Sequence, residues 1–109
     1  MKLNGYTIDH QSDLAGANLS GLEIIDADLS HSILAGANLA GSRAINVNWE
    51  GVSLERSNLV KVDFRGEDLQ GVDFRHADLA GADLSEANLK GANLAFTNLT
   101  NADFRKADL

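Results

Sequence analysis

The sequence predicts an all-β solenoid, a chain that turns at short regular intervals and stacks its coils into a rod. Three observations carry this. From Leu14 to Leu109 every fifth residue is apolar, twenty positions without a break of register. The residue before each of these centres is Asp or Asn in sixteen of the twenty units, and Gly stands two residues after it in nine of the nineteen units that reach so far. With 44% hydrophobic residues, such a run at one given phase would arise by chance about once in ten million.

Period five fits neither ordinary element. Five steps of an α-helix smear the apolar residues around the cylinder, and an odd step along a flat strand alternates them between faces. Each unit must therefore contain its own turn, for which Asp, Asn and Gly are suited. A chain that bends this often and keeps every centre on one side winds into a coil, whose backbone groups pair with the coils above and below. Two residues before the centre stand nine Ala, four Ser and four Val, with Leu22, Thr97 and Glu67 as the remainder, which marks a second, mostly small inward position.

Units such as Ala17-Asn18-Leu19-Ser20-Gly21, Ala77-Asp78-Leu79-Ala80-Gly81 and Ala92-Asn93-Leu94-Ala95-Phe96 resemble the A-(D/N)-L-x-x motif of the pentapeptide-repeat family. The resemblance covers residues 12–109. It implies a right-handed quadrilateral parallel β-helix with four units to a coil, hence about five coils and roughly 25 Å of rod at the usual strand spacing.

In chain order, residues 1–11 are expected to form a lead-in or cap, with Leu3, Tyr6 and Ile8 covering apolar surface near Ile25 and Ile45. Residues 12–109 form the helix proper. Its expected core is Leu14, Leu19, Leu29, Leu34, Leu39, Trp49, Leu54, Leu59, Phe64, Leu69, Phe74, Leu79, Leu84, Leu89, Leu94, Leu99 and Phe104. Trp49, the largest centre, follows Ala44, the smallest, so the indole is expected to fill the space that Ala44 leaves.

With four units per coil, residues twenty apart stack, and each face takes the name of its first centre: Leu14, Leu19, Ile24 or Leu29. Formal charge over residues 12–109 is −1, 0, −2 and −4 on these faces in turn, so the acidity lies on the adjacent Ile24 and Leu29 faces. On the Leu19 face Asn18, Asn38, Asn58, Asp78 and Asn98 form a column suited to an amide ladder. Arg43 between Glu23 and Asp63, and Glu55 beside Arg75, are expected as cross-coil ion pairs.

Catalytic or metal chemistry finds little footing. There is no cysteine, and His10, His31 and His76 fall at unrelated places in the repeat, so no metal, cofactor or catalytic residue is expected. Serines have no convergent His and Asp partners. Glu67 occupies an inward position, where an ionised unpaired carboxylate would be costly. Its carboxylate is expected to escape at a corner or bulge. A net charge of −7 disfavours nucleic acid as a partner. The first eleven residues hold no apolar run of the signal-peptide kind and nothing later approaches a membrane span, which predicts a cytoplasmic protein.

What remains is a non-enzymatic structural or protein-interaction module offering a rigid repeat surface. The candidate contact residues are Ile25, Ile45, Asp28, Glu50, Asp68, Phe104 and Leu109, with Ile33 and Phe96 also directed outward. No capping sequence covers the last coil, so an end-to-end homodimer through the C-terminal coils is a further expectation. The family resemblance supplies an alternative: some members resemble double-stranded DNA in size and charge, bind DNA gyrase and topoisomerase IV, and protect bacteria from quinolones.

Overall fold

The computed structural model describes residues 2–109, and Met1 lies outside the described residues. Each five-residue unit closes on itself by a turn. In sixteen of nineteen units the N–H three residues after the centre donates to the centre's carbonyl, as Ala37 N–H does to Leu34 at 3.0 Å. The residue two after the centre has positive φ in all nineteen units that reach so far, from Gly16 at 69° to Lys106 at 60°. A single positive φ at the third residue, with this bond across it, is a type II turn.

Glycine explains only nine of these left-handed residues. The other ten include His31, Arg56, His76, Glu86 and Phe96, for which the conformation costs an L-residue roughly 1–2 kcal/mol. Asp and Asn before the centre offset part of that cost. In all fifteen units where the chain continues far enough, the Asp or Asn Oδ1 accepts the backbone N–H two residues on, as Asn58 does from Val60 at 3.1 Å and Asp78 from Ala80 at 3.1 Å. The recurrent acid or amide is thus a turn-former acting on its own unit.

Coils stack with an offset of twenty residues. Parallel bridges join Asp13 to Ile33, Ile33 to Ser53, and so on up the rod, which fixes four units per coil and four sides. Where the corner widens, the bridges lengthen into strands: β3 (Glu23–Ile25) pairs in parallel with β4 (Arg43–Ile45). At the N-terminus β1 (Lys2–Leu3) and β2 (Tyr6–Thr7) form an antiparallel hairpin.

The hairpin lies on the first coil, where Asn4 Nδ2 donates to the Asn18 carbonyl at 2.8 Å, Leu3 packs on the core and Ile8 is buried. It does not shield the outward isoleucines, and Ile25 remains 40% exposed. The hairpin follows the open end of the first coil, the larger apolar surface to be covered.

All sixteen centres from Leu14 to Leu89 are buried, as is nearly every small residue two positions before them. At mid-rod the Trp49 ring meets Phe64 edge-on at 5.2 Å, and Phe64 lies 6.4 Å from Phe74. In the last coil Leu94 and Phe104 are half-buried, Leu99 is 37% exposed and Leu109 75% exposed, because no further coil lies over them. The Cα envelope measures 33 × 21 × 19 Å, the hairpin lengthening the stack at one end.

Candidate interaction surface

One of the nineteen turns, after Leu19 in the first coil, lacks its internal bond alone, and the repeat departs further from regularity at the corner between the Ile24 and Leu29 faces. The turns after Ile24 and Ala44 lack their internal hydrogen bond. Glu67, one coil above Val47, supplies the missing acceptor. Asn46 N–H donates to its Oε2 at 3.1 Å, Val47 N–H to Oε1 at 3.0 Å, and the Trp49 indole N–H to Oε1 at 3.2 Å. Glu67 is only 7% exposed, so the expected escape to solvent does not occur. Ala44 leaves room for the side chain, and three N–H donors take the place of water around the carboxylate. The indole meets Glu67 through that contact and Phe64 edge-on, and Glu67, not the indole, is the side chain that shares a surface hollow with Ala44.

This filling has a consequence on the adjacent face. Sixteen pairs of Asp/Asn-type positions stand one above another along the rod, and fifteen are bridged. The exception is Asn48 over Asp68. Three ladder bonds made elsewhere are missing on this face among the described residues: Trp49 N–H to Asp68 O, Asp68 N–H to Val47 O, and Gly51 N–H to Gln70 O; at the corner Asn46 N–H, turned to Glu67, also leaves Arg65 O without its ladder donor. The largest centre and the longest inward side chain share this level of the stack and wedge the two coils apart. The result is a notch of about 350 Å³ lined by Val47, Asn48, Trp49, Glu50, Asp68 and Gln70.

Charge is distributed unevenly around the notch. Of the expected cross-coil pairs, Arg43 reaches Asp63 at 3.5 Å and Arg75 reaches Glu55 at 3.7 Å, whereas Arg43 makes no ion pair with Glu23. Closer pairs occur inside single units: Asp63–Arg65 at 2.9 Å, Asp73–Arg75 at 2.8 Å and Asp103–Arg105 at 2.7 Å. Their signal, the tripeptide Asp-Phe-Arg repeated three times, was present in the sequence. Hydrogen bonds from Arg75 and Arg105 hold the Asp73 and Asp103 carboxyls below the usual carboxylate range. For Asp63 burial opposes ionisation, but the Arg65 contacts outweigh it and the carboxyl is again lowered.

Eight outer carboxylates have no cationic partner among the described residues, and six of them, Glu23, Asp26, Asp28, Glu50, Asp68 and Glu86, lie on the Ile24 and Leu29 faces. Asp13 and Asp78 are the other two. Asp28 accepts the Ser30 hydroxyl at 2.6 Å and its N–H at 3.0 Å, which lower its pKa, and Asp68 accepts the Gln70 N–H at 3.2 Å. Across the corner, Ile25 and Ile45 pair side by side as the last residues of β3 and β4, Ile45 being half-buried. Phe104 and Leu109 lie apart, in the last coil.

The remaining candidates do not converge. His10 hydrogen-bonds Asp9 at 2.9 Å, His31 lies over Gly51 so closely that a Cβ there would strike the imidazole, and His76 stacks on Phe96 with centroids 4.9 Å apart. That stack, with Phe96 82% exposed, went unread although the two residues are twenty apart. Among the described residues no three His, Asp or Glu side chains are grouped to hold a metal ion. The Leu19-face column stacks as expected but makes no amide ladder. Each of its oxygens is already engaged by its own turn.

A four-sided parallel coil of five-residue turns, its outer acids and amides fastening its own backbone, defines a repeat solenoid. The chain belongs to the pentapeptide-repeat family, whose model matches residues 10–36, 32–71 and 68–105 with 8 copies of the repeat, and the β-helix is right-handed. Its fold is similar to that of Rfr23, a pentapeptide repeat protein from the cyanobacterium Cyanothece 51142, at a TM-score of 0.79 and 25% identity, over 84% of this chain and 63% of that one. A trypsin-treated form of QnrB1, a plasmid-mediated fluoroquinolone resistance protein, matches at 0.70 and 20% identity, over 87% and 58%. HetL, involved in heterocyst differentiation regulation in the cyanobacterium Nostoc sp. strain PCC 7120, matches at 0.54 and 32% identity, over 87% and 50%. The chain thus spans between half and two thirds of the length of these structures. It matches no curated protein sequence. Among the described residues no helix is long and apolar enough to cross a membrane.

Proposed function

We propose that the chain is a non-enzymatic protein-interaction module whose contact surface is formed by the adjacent Ile24 and Leu29 faces. The observation that carries this reading is the gathering of six of the eight unpaired outer carboxylates on those two faces of a backbone that its own turns hold rigid. A preorganised surface of one sign steers an oppositely charged partner and loses little conformational entropy on contact. The test is a photo-crosslinking scan in the cells that make the protein, with one reactive residue placed on each face in turn. Adducts of discrete mass from the Ile24 and Leu29 faces are expected, and the absence of adducts from every face would overturn the reading.

The same acidic faces favour a second reading, a DNA-mimicking inhibitor or protector of DNA gyrase and topoisomerase IV. Its support is a rod 21 × 19 Å across carrying carboxylates along adjacent faces. Supercoiling by purified gyrase, with and without the protein, decides it: inhibition or quinolone protection supports it, and unchanged activity at a large excess of the protein eliminates it.

A further inference from the structure

The notch and the isoleucine pair meet at one corner, and the chemistry of both restricts what can bind there. The coils part between Asn48 and Asp68, which leaves the carbonyls of Val47, Asp68 and Gln70 without their ladder donors. The carboxylates of Glu50 and Asp68 border the same opening. The same missing bonds free the N–H groups of Trp49, Gly51 and Asp68, so the backbone is balanced, and the two carboxylates give the mouth its excess of acceptors and its negative charge. Nearby Asp26, Asp28, Glu23 and Glu86 lack cationic partners, whereas the two arginines of the Ile24 face below the last coil, Arg43 and Arg65, are already held by Asp63. Beside this lies an aliphatic pair, Ile25 and Ile45, on the only three-residue strands among the described residues.

We infer that this corner is a docking site for a basic, extended protein segment, with an Arg or Lys side chain seated in the notch and a neighbouring apolar side chain on Ile25 and Ile45. An arginine fork matches the arrangement: its five N–H donors can satisfy both backbone carbonyls and carboxylates, which a single apolar or acidic group cannot. A notch of about 350 Å³ admits one long side chain. The inference rests on the interaction-module reading and specifies its partner's chemistry. Glu67, buried and outside the lining, shapes the site without touching the partner, whereas Trp49, though buried, forms part of the notch wall.

The experiment titrates the full chain, labelled for NMR, with a capped peptide alternating Arg and Leu, and with the same peptide carrying citrulline, the neutral isostere, in place of Arg. Saturable shifts are expected at the amides of Trp49, Gly51 and Asp68 and at Ile25 and Ile45. The citrulline peptide should bind roughly tenfold or more weakly. An Asp68→Asn, Glu50→Gln double variant should lose the same factor. It keeps the fold, because Asn already serves the Asp68 position at Asn48 and Asn88. An Asp13→Asn, Asp78→Asn variant should bind as the parent does. Equal binding of both peptides, shifts spread evenly to Asp13 and Asp78, or no saturation would each overturn the site. If the site fails while the crosslinking scan still yields adducts from another face, the interaction-module reading survives without it. A scan without adducts removes that reading as well.

Discussion

At the residue scale, Glu67 shows how much one side chain can redirect. Its carboxylate holds three N–H groups, two of them from a turn that has lost its own acceptor. Glu67→Ala leaves Asn46 N–H, Val47 N–H and the Trp49 indole unpaired, and we expect it to destabilise the fold by roughly 2–4 kcal/mol in denaturant unfolding. Restoring the ordinary repeat at both wedge positions, Glu67→Val with Trp49→Leu, should recover much of that loss, with a coupling of about 1 kcal/mol or more between the two sites. Strict additivity would mean that the residues do not act as one unit. The sequence exposed Glu67 as an oddity but not its partners. An inward side chain is legible from periodicity, whereas an orphaned turn one unit earlier in the neighbouring coil is not.

At the scale of the single unit, nearly everything was legible, because the physical problem is local. Five residues must turn, bury one large and one small side chain, and leave their peptide groups directed along the rod. Asp or Asn before Leu or Phe solves the turn with its own oxygen. The amide ladder anticipated for Asn18, Asn38 and Asn58 failed for the same reason, since an oxygen committed to its own backbone is not free for the coil above. The Asp-Phe-Arg units carry a pH consequence. Asp63, Asp73 and Asp103 have folded carboxyls below the usual value, so they contribute stability that is present above the unfolded-state pKa of about 3.9 and lost as pH falls through the folded one. The thermal midpoint should therefore fall as pH drops below about 4, and less steeply in an Asp73→Asn, Asp103→Asn variant, in which the turns survive and the ion pairs do not. Because these pairs are partly exposed, the difference should also shrink in high salt. Identical acid profiles for variant and parent would contradict the assignment.

At the scale of the whole molecule, coupling runs between neighbouring coils, so the two ends behave differently. The hairpin covers the first coil, whereas the last presents Leu99 and Leu109 to solvent, and the N–H groups of Leu94, Leu99 and Phe104 have no acceptor among the described residues. With a neighbour on one side only, the last coil should lose its amide protection before the third coil as denaturant is added. Simultaneous loss of protection in both would mean that coupling extends along the whole stack rather than between neighbours.

The wedge and the notch both require the coils to part between Asn48 and Asp68. Amide hydrogen exchange followed by NMR measures this directly. Seven of the nine amides concerned lie in interior coils, and the other two, Leu29 and His31, close the first coil, whose open end the hairpin covers, so fraying of the ends does not confuse them. Trp49, Gly51 and Asp68 should exchange at least about tenfold faster than their counterparts one coil away, Leu29, His31, Asn48, Leu69, Gly71 and Asn88, whose ladder bonds are intact. Equal protection at all nine would mean a closed ladder, and with it neither wedge nor notch.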